Sequence, residues 1–397
     1  MNYPLLSEYI TSLKDAEDNL DKYNNLRLII GSDGYPMMSS GNFAAVFKMQ
    51  DENGNFFALK CFLKDQPNRN ESYKKIAEEL EFASSNFLIK FKYLEKELFV
   101  YSKNCKENEF PVLIMDWVEG TTLDNYIREN ISDTYKLDTL SYQFSHLSIW
   151  LASQPFAHGD LKPDNIMVRE DGSLVLIDYD GMFVPSMQGE KSRELGTPDF
   201  RHPLRTEDMF DEHIDDFALA SILLSLKAIA LQPDLLDKYG AKDRLLLSTA
   251  DYRNISECKI LKEIYPSSNQ DLNKLIALFT LALTQTNLAN VSYQLFNIPK
   301  PKEQKKKIIK NISTKVTEEE LKEAWKDEFG AKYSKDKKKL LKVPSNIKEY
   351  NIRPGTLVIG DKAFHGCESL KSVAIPRYSD WKLVFRSSSF SEIGCYP

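Results

Sequence analysis

Cysteine is scarce and scattered in this chain of 397 residues: Cys61, Cys105, Cys258, Cys367 and Cys395 form no C-x-x-C pair and no cluster with histidine at zinc spacing. That pattern offers neither a disulfide framework nor a structural zinc site, and free thiols in a reducing compartment are expected. A long apolar run is missing too. The most apolar stretch, residues 218–230, is broken by Ser221, Ser225 and Lys227 and is too short to cross a bilayer. The first residues lack a basic start and reach Lys14 without an apolar core, so no signal peptide is expected. Together these absences place the protein in the cytoplasm with no membrane partner. Positive charge is not in excess either: a formal net charge of -6 gives no reason to expect nucleic acid. What is present, 42% hydrophobic and 28% charged residues, suits two or three globular domains with sizeable cores.

The most informative segment is His158-Gly159-Asp160-Leu161-Lys162-Pro163-Asp164-Asn165, followed by Ile177-Asp178-Tyr179-Asp180-Gly181. Between them, residues 166–169 read as a short strand, Glu170-Asp171-Gly172 as a tight turn and residues 174–177 as a second strand. Such a hairpin brings Asn165 and Asp178 to one end of a ribbon. The segment resembles the catalytic core of eukaryotic-like serine/threonine protein kinases. By that resemblance Asp160 orients the attacking hydroxyl, Lys162 sets a cation against the γ-phosphate, and Asn165 and Asp178 are the Mg²⁺ ligands.

The upstream half then reads as the smaller lobe. Residues 38–48 resemble the glycine-rich loop G-x-G-x-x-G-x-V: Gly41 is the surviving glycine, Ser39 and Ala44 replace the others, Phe43 is at the tip, and Val46 packs on adenine. Side chains held at positive φ in such a loop would cost energy. The strand Phe56-Phe57-Ala58-Leu59-Lys60-Cys61-Phe62 resembles V-A-I-K, with Ala58 beside the nucleotide and Lys60 on its phosphates. The helix expected over residues 72–83 buries Tyr73, Ile76, Leu80 and Ala83 on one face. It carries Glu78, the chosen partner of Lys60, with Glu79 as a close rival. A strand at residues 87–89 should follow. Residues 111–120 resemble the hinge: Met115 is the gatekeeper, the backbone of Asp116 to Val118 meets adenine, and Asp124 in the next helix is a candidate ribose contact.

Downstream, Gly196-Thr197-Pro198-Asp199-Phe200-Arg201-His202-Pro203 resembles the shelf that binds peptide substrate, and Asp215 should bond the catalytic-loop backbone in support, as His158 does structurally. Three departures stand out. Leu204 replaces a structural glutamate, Gly159 stands where many regulated kinases have arginine, and Asp180 stands in a glycine's place. Helices are expected over residues 214–230, 235–239 and 269–284.

Beyond residue 298 the composition changes. Residues 299–315 hold seven lysines against one glutamate and read as a solvated tether. A short acidic helix is expected from Thr317 through Trp325. Residues 355–376 resemble one unit of the bacterial BspA-like leucine-rich repeat, in which Ile359, Ala363, Phe364, Cys367, Leu370, Val373 and Ile375 fill a solenoid coil, and bacterial origin follows from that resemblance. Residues 377–397 do not repeat the pattern.

The expected fold is therefore α+β: a bilobal protein-kinase-like fold with a small β-rich N-lobe, a larger α-helical C-lobe and a small C-terminal leucine-rich-repeat-like module. The expected divisions are an N-terminal helical extension (1–26), the kinase-like domain (27–298, lobes 27–115 and 119–298), a Lys-rich linker (299–316) and a helix plus repeat-like module (317–397). The resemblance implies ATP and Mg as cofactors and a protein substrate, with a further protein partner for the C-terminal module. Two other functions stay open. A small-molecule phosphotransferase of the aminoglycoside or choline kinase type shares the His-Gly-Asp motif, and a nucleotide-binding pseudokinase scaffold is compatible with the lost glycines.

Overall fold

In the computed structural model, residues 2–66, 68–83, 85–302 and 313–374 are described, and the chain divides into two compact units, Met1–Pro301 and Lys302–Pro397. The first opens with α1 (Leu6–Lys14) and the single turn α2 (Ala16–Asn19). Helices this short do not persist in water by themselves. Burial holds the segment: Tyr9, Leu13, Leu20 and Leu26 are at most 4% exposed, each stabilising the fold by roughly 1.5–3 kcal/mol. The Tyr9 hydroxyl also donates to the Phe62 carbonyl at 2.8 Å. The N-terminal extension is thus one side of the small lobe's outer core, packed with Phe47, Met49, Phe110 and Val112.

Strands β1 (Arg27–Leu28), β2 (Met38–Ser40), β3 (Ala44–Gln50), β4 (Phe56–Phe62), β5 (Phe91–Phe99) and β6 (Glu109–Asp116) make one sheet in the order β1-β3-β4-β6-β5, with β2 added to β3. Helix α3 (Arg69–Phe82) buries Tyr73, Ile76 and Leu80 at the expected spacing. Residues 87–89 are not a strand, because their backbone bonds to the other lobe: Phe87 O accepts from the Leu176 amide at 2.8 Å, and the Ile89 amide donates to the Tyr179 hydroxyl at 2.9 Å.

The large lobe comprises β7 (Thr121–Thr122), α4 (Leu123–Glu129), α5 (Thr134–Ala152), a hairpin of β8 (Ile166–Val168) and β9 (Leu174–Leu176), then α6 (Asp216–Leu231), α7 (Asp234–Tyr239), α8 (Thr249–Arg253), α9 (Lys259–Ile264) and α10 (Gln270–Thr284). The interrupted apolar run is α6, buried on every side. Its polar breaks are satisfied internally: Ser225 donates to the Ser221 carbonyl at 2.9 Å and Lys227 pairs with Asp138 at 2.5 Å. Among the described residues no helix is long and apolar enough to cross a membrane.

The second unit opens with α11 (Glu318–Lys322), started by a capping box between Thr317 and Glu320. The helix stops at Lys322 and does not reach Trp325, which enters a sheet of β10 (Trp325–Lys326), β11 (Lys332–Tyr333), β12 (Lys339–Lys342) and β14 (Val358–Ile359). Strands β13 (Glu349–Asn351) and β15 (Ser372–Ala374) pair separately. Both β12·β14 and β13·β15 are parallel. Ala363 is buried in this unit's core with Ile359, Phe364, Cys367, Leu370 and Val373 packed around it. Ile375, residues 377–397 and residues 303–312 of the tether lie outside the described residues.

Candidate active site

The hairpin sets the centre. Ile166 faces Leu176 and Val168 faces Leu174, Gly172 takes the turn at φ 80°, and the Ile177 amide donates to Asn165 O at 3.0 Å. Asn165 and Asp178 therefore emerge at the same end. Asn165 spends its Nδ2 on Asp160, at 2.8 Å to the carbonyl and 3.2 Å to Oδ2, which leaves its Oδ1 as the acceptor for a cation. Asp178 adopts a left-handed φ of 68°, which Asp tolerates better than most non-glycine residues. Its side chain is 44% exposed, open to the cleft.

Both carboxylate oxygens of Asp160 have partners. Its Oδ1 accepts from the Thr197 amide at 2.7 Å and hydroxyl at 2.9 Å, and Oδ2 meets Lys162 Nζ at 3.0 Å. Burial pushes its carboxyl up, but Lys162 and Thr197 outweigh that and hold it below the ordinary value. A carboxylate so stabilised is a weak base and a good orienting acceptor. The close approach of Thr197 depends on Gly196, whose φ is 75° and whose added Cβ would lie 2.8 Å from Gly159 O and 3.3 Å from Asp160 Oδ1. Behind the loop, Asp215 accepts from the His158 amide at 2.5 Å and the Gly159 amide at 3.0 Å, and the His158 ring bonds Ile177 O at 2.9 Å. His158 thus ties the catalytic loop to the strand that leads into Asp178.

Across the cleft, strand register gathers the nucleotide candidates. Val46 pairs with Lys60 and Ala58 with Met115. Paired residues, and residues two apart on a strand, share a face, so Val46, Ala58, Lys60 and Met115 line one side of the sheet. In the β2–β3 turn the Gly41 amide donates to Ala44 O at 2.9 Å, and none of residues 39–44 has a positive φ. Ser39 and Ala44 therefore impose no backbone strain. Phe43 is 47% exposed at the tip, with Lys64 over its ring at 5.3 Å. At the hinge, the Trp117 amide is tied to Phe56 O at 3.0 Å, between Asp116 and Val118. Asp124 is taken by Arg128 at 2.8 Å.

Lys60 corrects one expectation. Glu78 is exposed on α3 and Glu79 half-buried, and among the described residues neither bonds to Lys60. The lysine, 6% exposed, instead pairs with Asp178 at 2.7 Å and Asp180 at 2.6 Å. Burial opposes its charge, and the two carboxylates more than offset this, so its pKa is raised. Desolvation in turn pushes Asp178 up, and Lys60 pulls it below the ordinary value. From α3 the residue that reaches this cluster is Tyr73, whose hydroxyl donates to Asp180 Oδ1.

Arg205 answers the missing glutamate. Leu204 is 66% exposed, whereas Arg205 is buried and donates from Nη1 to Gly159 O at 2.9 Å. Arg193 donates to Asp180 O at 3.0 Å, and Lys75 of α3 pairs with Glu190 at 2.5 Å. Reading the sequence missed Tyr73, Arg193 and Arg205. Tyr73 carried a signal, as the one hydroxyl-bearing aromatic on the buried face of α3.

A family model described as the protein kinase domain matches residues 36–277, more than half of the chain, and the chain belongs to that family. Curated relatives agree in kind. Over 206 residues it is 27% identical to a "Probable serine/threonine protein kinase IRE" of Arabidopsis thaliana, covering 42% of this chain and 16% of that protein. Over 226 residues it is 23% identical to the "Serine/threonine-protein kinase sgk-1" of Caenorhabditis elegans, covering 55% of this chain and 47% of that protein. It is also 24% identical over 193 residues to an "Aurora kinase" of Yarrowia lipolytica, covering 47% and 49%. The matches span less than half the length of each of these relatives.

Proposed function

We propose that the chain is an ATP- and Mg²⁺-dependent serine/threonine protein kinase acting on protein substrates. The observation that carries the reading is the pairing of Asp160 with Thr197: the carboxylate that would orient a hydroxyl is bonded to the segment resembling a peptide shelf. This favours a protein acceptor over a small-molecule one. The donor set fits the cofactors. Asn165 Oδ1 and the open Asp178 carboxylate suit Mg²⁺, which takes few protein oxygens alongside phosphate and water, and Lys60 offers a cation to the phosphates. Bound Mg·ATP supplies the phosphoryl group and neutralises charge along the phosphate tail. Asp160 would accept a hydrogen bond from the substrate hydroxyl and so aim its oxygen at the phosphoryl group, Lys162 holds Asp160 and adds positive charge beside it, and Thr197 keeps the carboxylate from rotating. The strain-free β2–β3 turn weighs against a pseudokinase scaffold.

We read the second unit as a leucine-rich-repeat-like module that engages a protein partner. Its parallel strand pairs support this, and so does the recurrence of Ile347-Lys348, Tyr350 and Ile352 as Leu370-Lys371, Val373 and Ile375. A cytoplasmic location and bacterial origin complete the reading, resting on the thiols and on the repeat's resemblance.

The test is incubation of purified protein with labelled ATP, Mg²⁺ and mixed protein and small-molecule acceptors. Label should appear on serine and threonine of protein acceptors, and Asp160→Asn should lower transfer by at least about a thousandfold with nucleotide affinity within about threefold. Transfer only to small molecules, or nucleotide binding with no transfer by wild type, would overturn the reading in favour of the phosphotransferase or the scaffold.

A further inference from the structure

We infer that the counter-ion of Lys60 is supplied by the metal-ligand loop itself, through Asp180, and that Tyr73 links helix α3 to that same carboxylate in place of a helix glutamate. The inference rests on the kinase reading and adds a positioning residue to it.

A lysine 6% exposed needs a lasting anionic partner. Asp178 cannot fill that role throughout, since its 44% exposed carboxylate is also the one placed to hold a cation. Asp180 is different. Its side chain is 11% exposed, Oδ1 receives both Lys60 at 2.6 Å and the Tyr73 hydroxyl, and its backbone carbonyl accepts from Arg193 at 3.0 Å. It joins β4, α3 and the segment before the shelf.

Helix geometry keeps both candidate glutamates, Glu78 and Glu79, away from the same place. Successive residues turn by about 100° on a helix. Glu78, five positions after Tyr73, therefore lies about 140° around α3, and Glu79 about 120° around it. The positions of α3 that share the Tyr73 face are Arg69 and Asn70 before it and Ile76, Ala77 and Leu80 after it, none of them an acid. A small rolling of α3 cannot bring in either glutamate. The tyrosine ring is also fixed, stacked on Tyr93 at 5.3 Å with an interplanar angle of 7° and edge-on to Phe91 at 5.8 Å. Its hydroxyl has one direction in which to point.

The experiment measures Mg·ATP affinity by equilibrium titration and steady-state transfer for wild type, Lys60→Met, Asp180→Asn, Tyr73→Phe, Glu78→Gln and the Tyr73→Phe/Asp180→Asn pair. Asp180→Asn should weaken Mg·ATP binding and lower kcat/KM, each at least about tenfold, and Tyr73→Phe should lower kcat/KM by about three- to tenfold. In the Asp180→Asn background Tyr73→Phe should have no further effect, which a general loosening of the fold would not produce. Glu78→Gln should stay within about twofold of wild type. Tyr73→Phe removes one hydroxyl and keeps the packed ring, so it tests the link even if Asp180→Asn folds poorly. If wild type binds Mg·ATP and Lys60→Met does not, the kinase reading stands; a loss on Glu78→Gln with none on Tyr73→Phe or Asp180→Asn then overturns this inference alone. Failure of wild type to bind Mg·ATP overturns both.

Discussion

Gly159 stands where an arginine could be expected, and its geometry explains why any side chain there is destabilising. Its φ is 82°, and an added Cβ would lie 1.9 Å from Gly181 O and 2.6 Å from Gly181 C. Neither side can yield. Gly159 is held by Asp215 on its amide and Arg205 on its carbonyl, and the chain after Gly181 is fixed by paired bonds between Phe183 and Ala157 at 2.9 and 3.1 Å. Gly159→Ala should therefore cost about 1–2 kcal/mol for the left-handed backbone and about 1–3 kcal/mol for overpacking. At roughly 2–4 °C per kcal/mol, the ligand-free Tm should fall by roughly 4–20 °C. Gly172→Ala is the control: its φ is 80°, yet among the described residues nothing lies within 4 Å of the added Cβ, so only the backbone cost applies. Because Gly181 adjoins Asp180, the alanine at 159 should also impair Mg·ATP binding by the folded protein. Melting by calorimetry, run on both variants, decides the matter. A Gly159→Ala protein that melts no lower than Gly172→Ala refutes the steric account.

Ser192 is 5% exposed with its hydroxyl given to Glu194 O, and Lys75–Glu190 already ties α3 to this segment; phosphatase-treated enzyme and Ser186→Ala should thus match untreated wild type in initial rate, and a tenfold loss, about 1.4 kcal/mol, would show a dependence on phosphate. Burial, aided by Asp180, raises the Glu194 carboxyl above its ordinary 4.5. An acid raised in the folded state destabilises it above that folded value and not below the unfolded one. Glu194→Gln, which can keep the bond from Gln66, should accordingly raise Tm at pH 7–8, with the gain vanishing as pH falls towards 4.5; an unchanged Tm difference across pH would contradict this. Removing residues 302–397 should leave autophosphorylation measurable, since every catalytic candidate lies within Met1–Pro301; a cooperatively melting but inactive truncation would place the second unit within the catalytic machinery.

Local pattern made much of this protein legible. The strand–turn–strand between Asn165 and Asp178 follows from two short apolar runs around Glu170-Asp171-Gly172, and the helical stripe Tyr73, Ile76, Leu80 is a period that only one face of α3 can satisfy. These are consequences of neighbours along the chain. The weaker repeat at residues 347–352 shows how pattern fades: its Ile347, Tyr350 and Ile352 match Leu370, Val373 and Ile375, but the loop before it is shorter, and parallel pairing of β13 with β15 was needed to reveal the correspondence.

Which charge meets which is a different kind of question. Six carboxylate or ammonium side chains of the site come from four stretches of chain: Asp160 and Lys162, Asp178 and Asp180, and Glu194 lie within residues 160–194, and Lys60 arrives from a strand of the other lobe. A motif can assign Lys60 a glutamate on the next helix, but the rotation of α3 about its axis, set by Tyr73 packing on Tyr93 and Phe91, determines what that helix presents. Likewise the letters at 159 and 204 read as losses until the tertiary structure shows Gly181 filling the space of any side chain at 159 and Arg205 bonding Gly159 O. Chain periodicity determined the elements and the positions of the motif residues; three-dimensional packing alone decided their partners, because a buried charge takes the nearest countercharge that closure of the lobes provides.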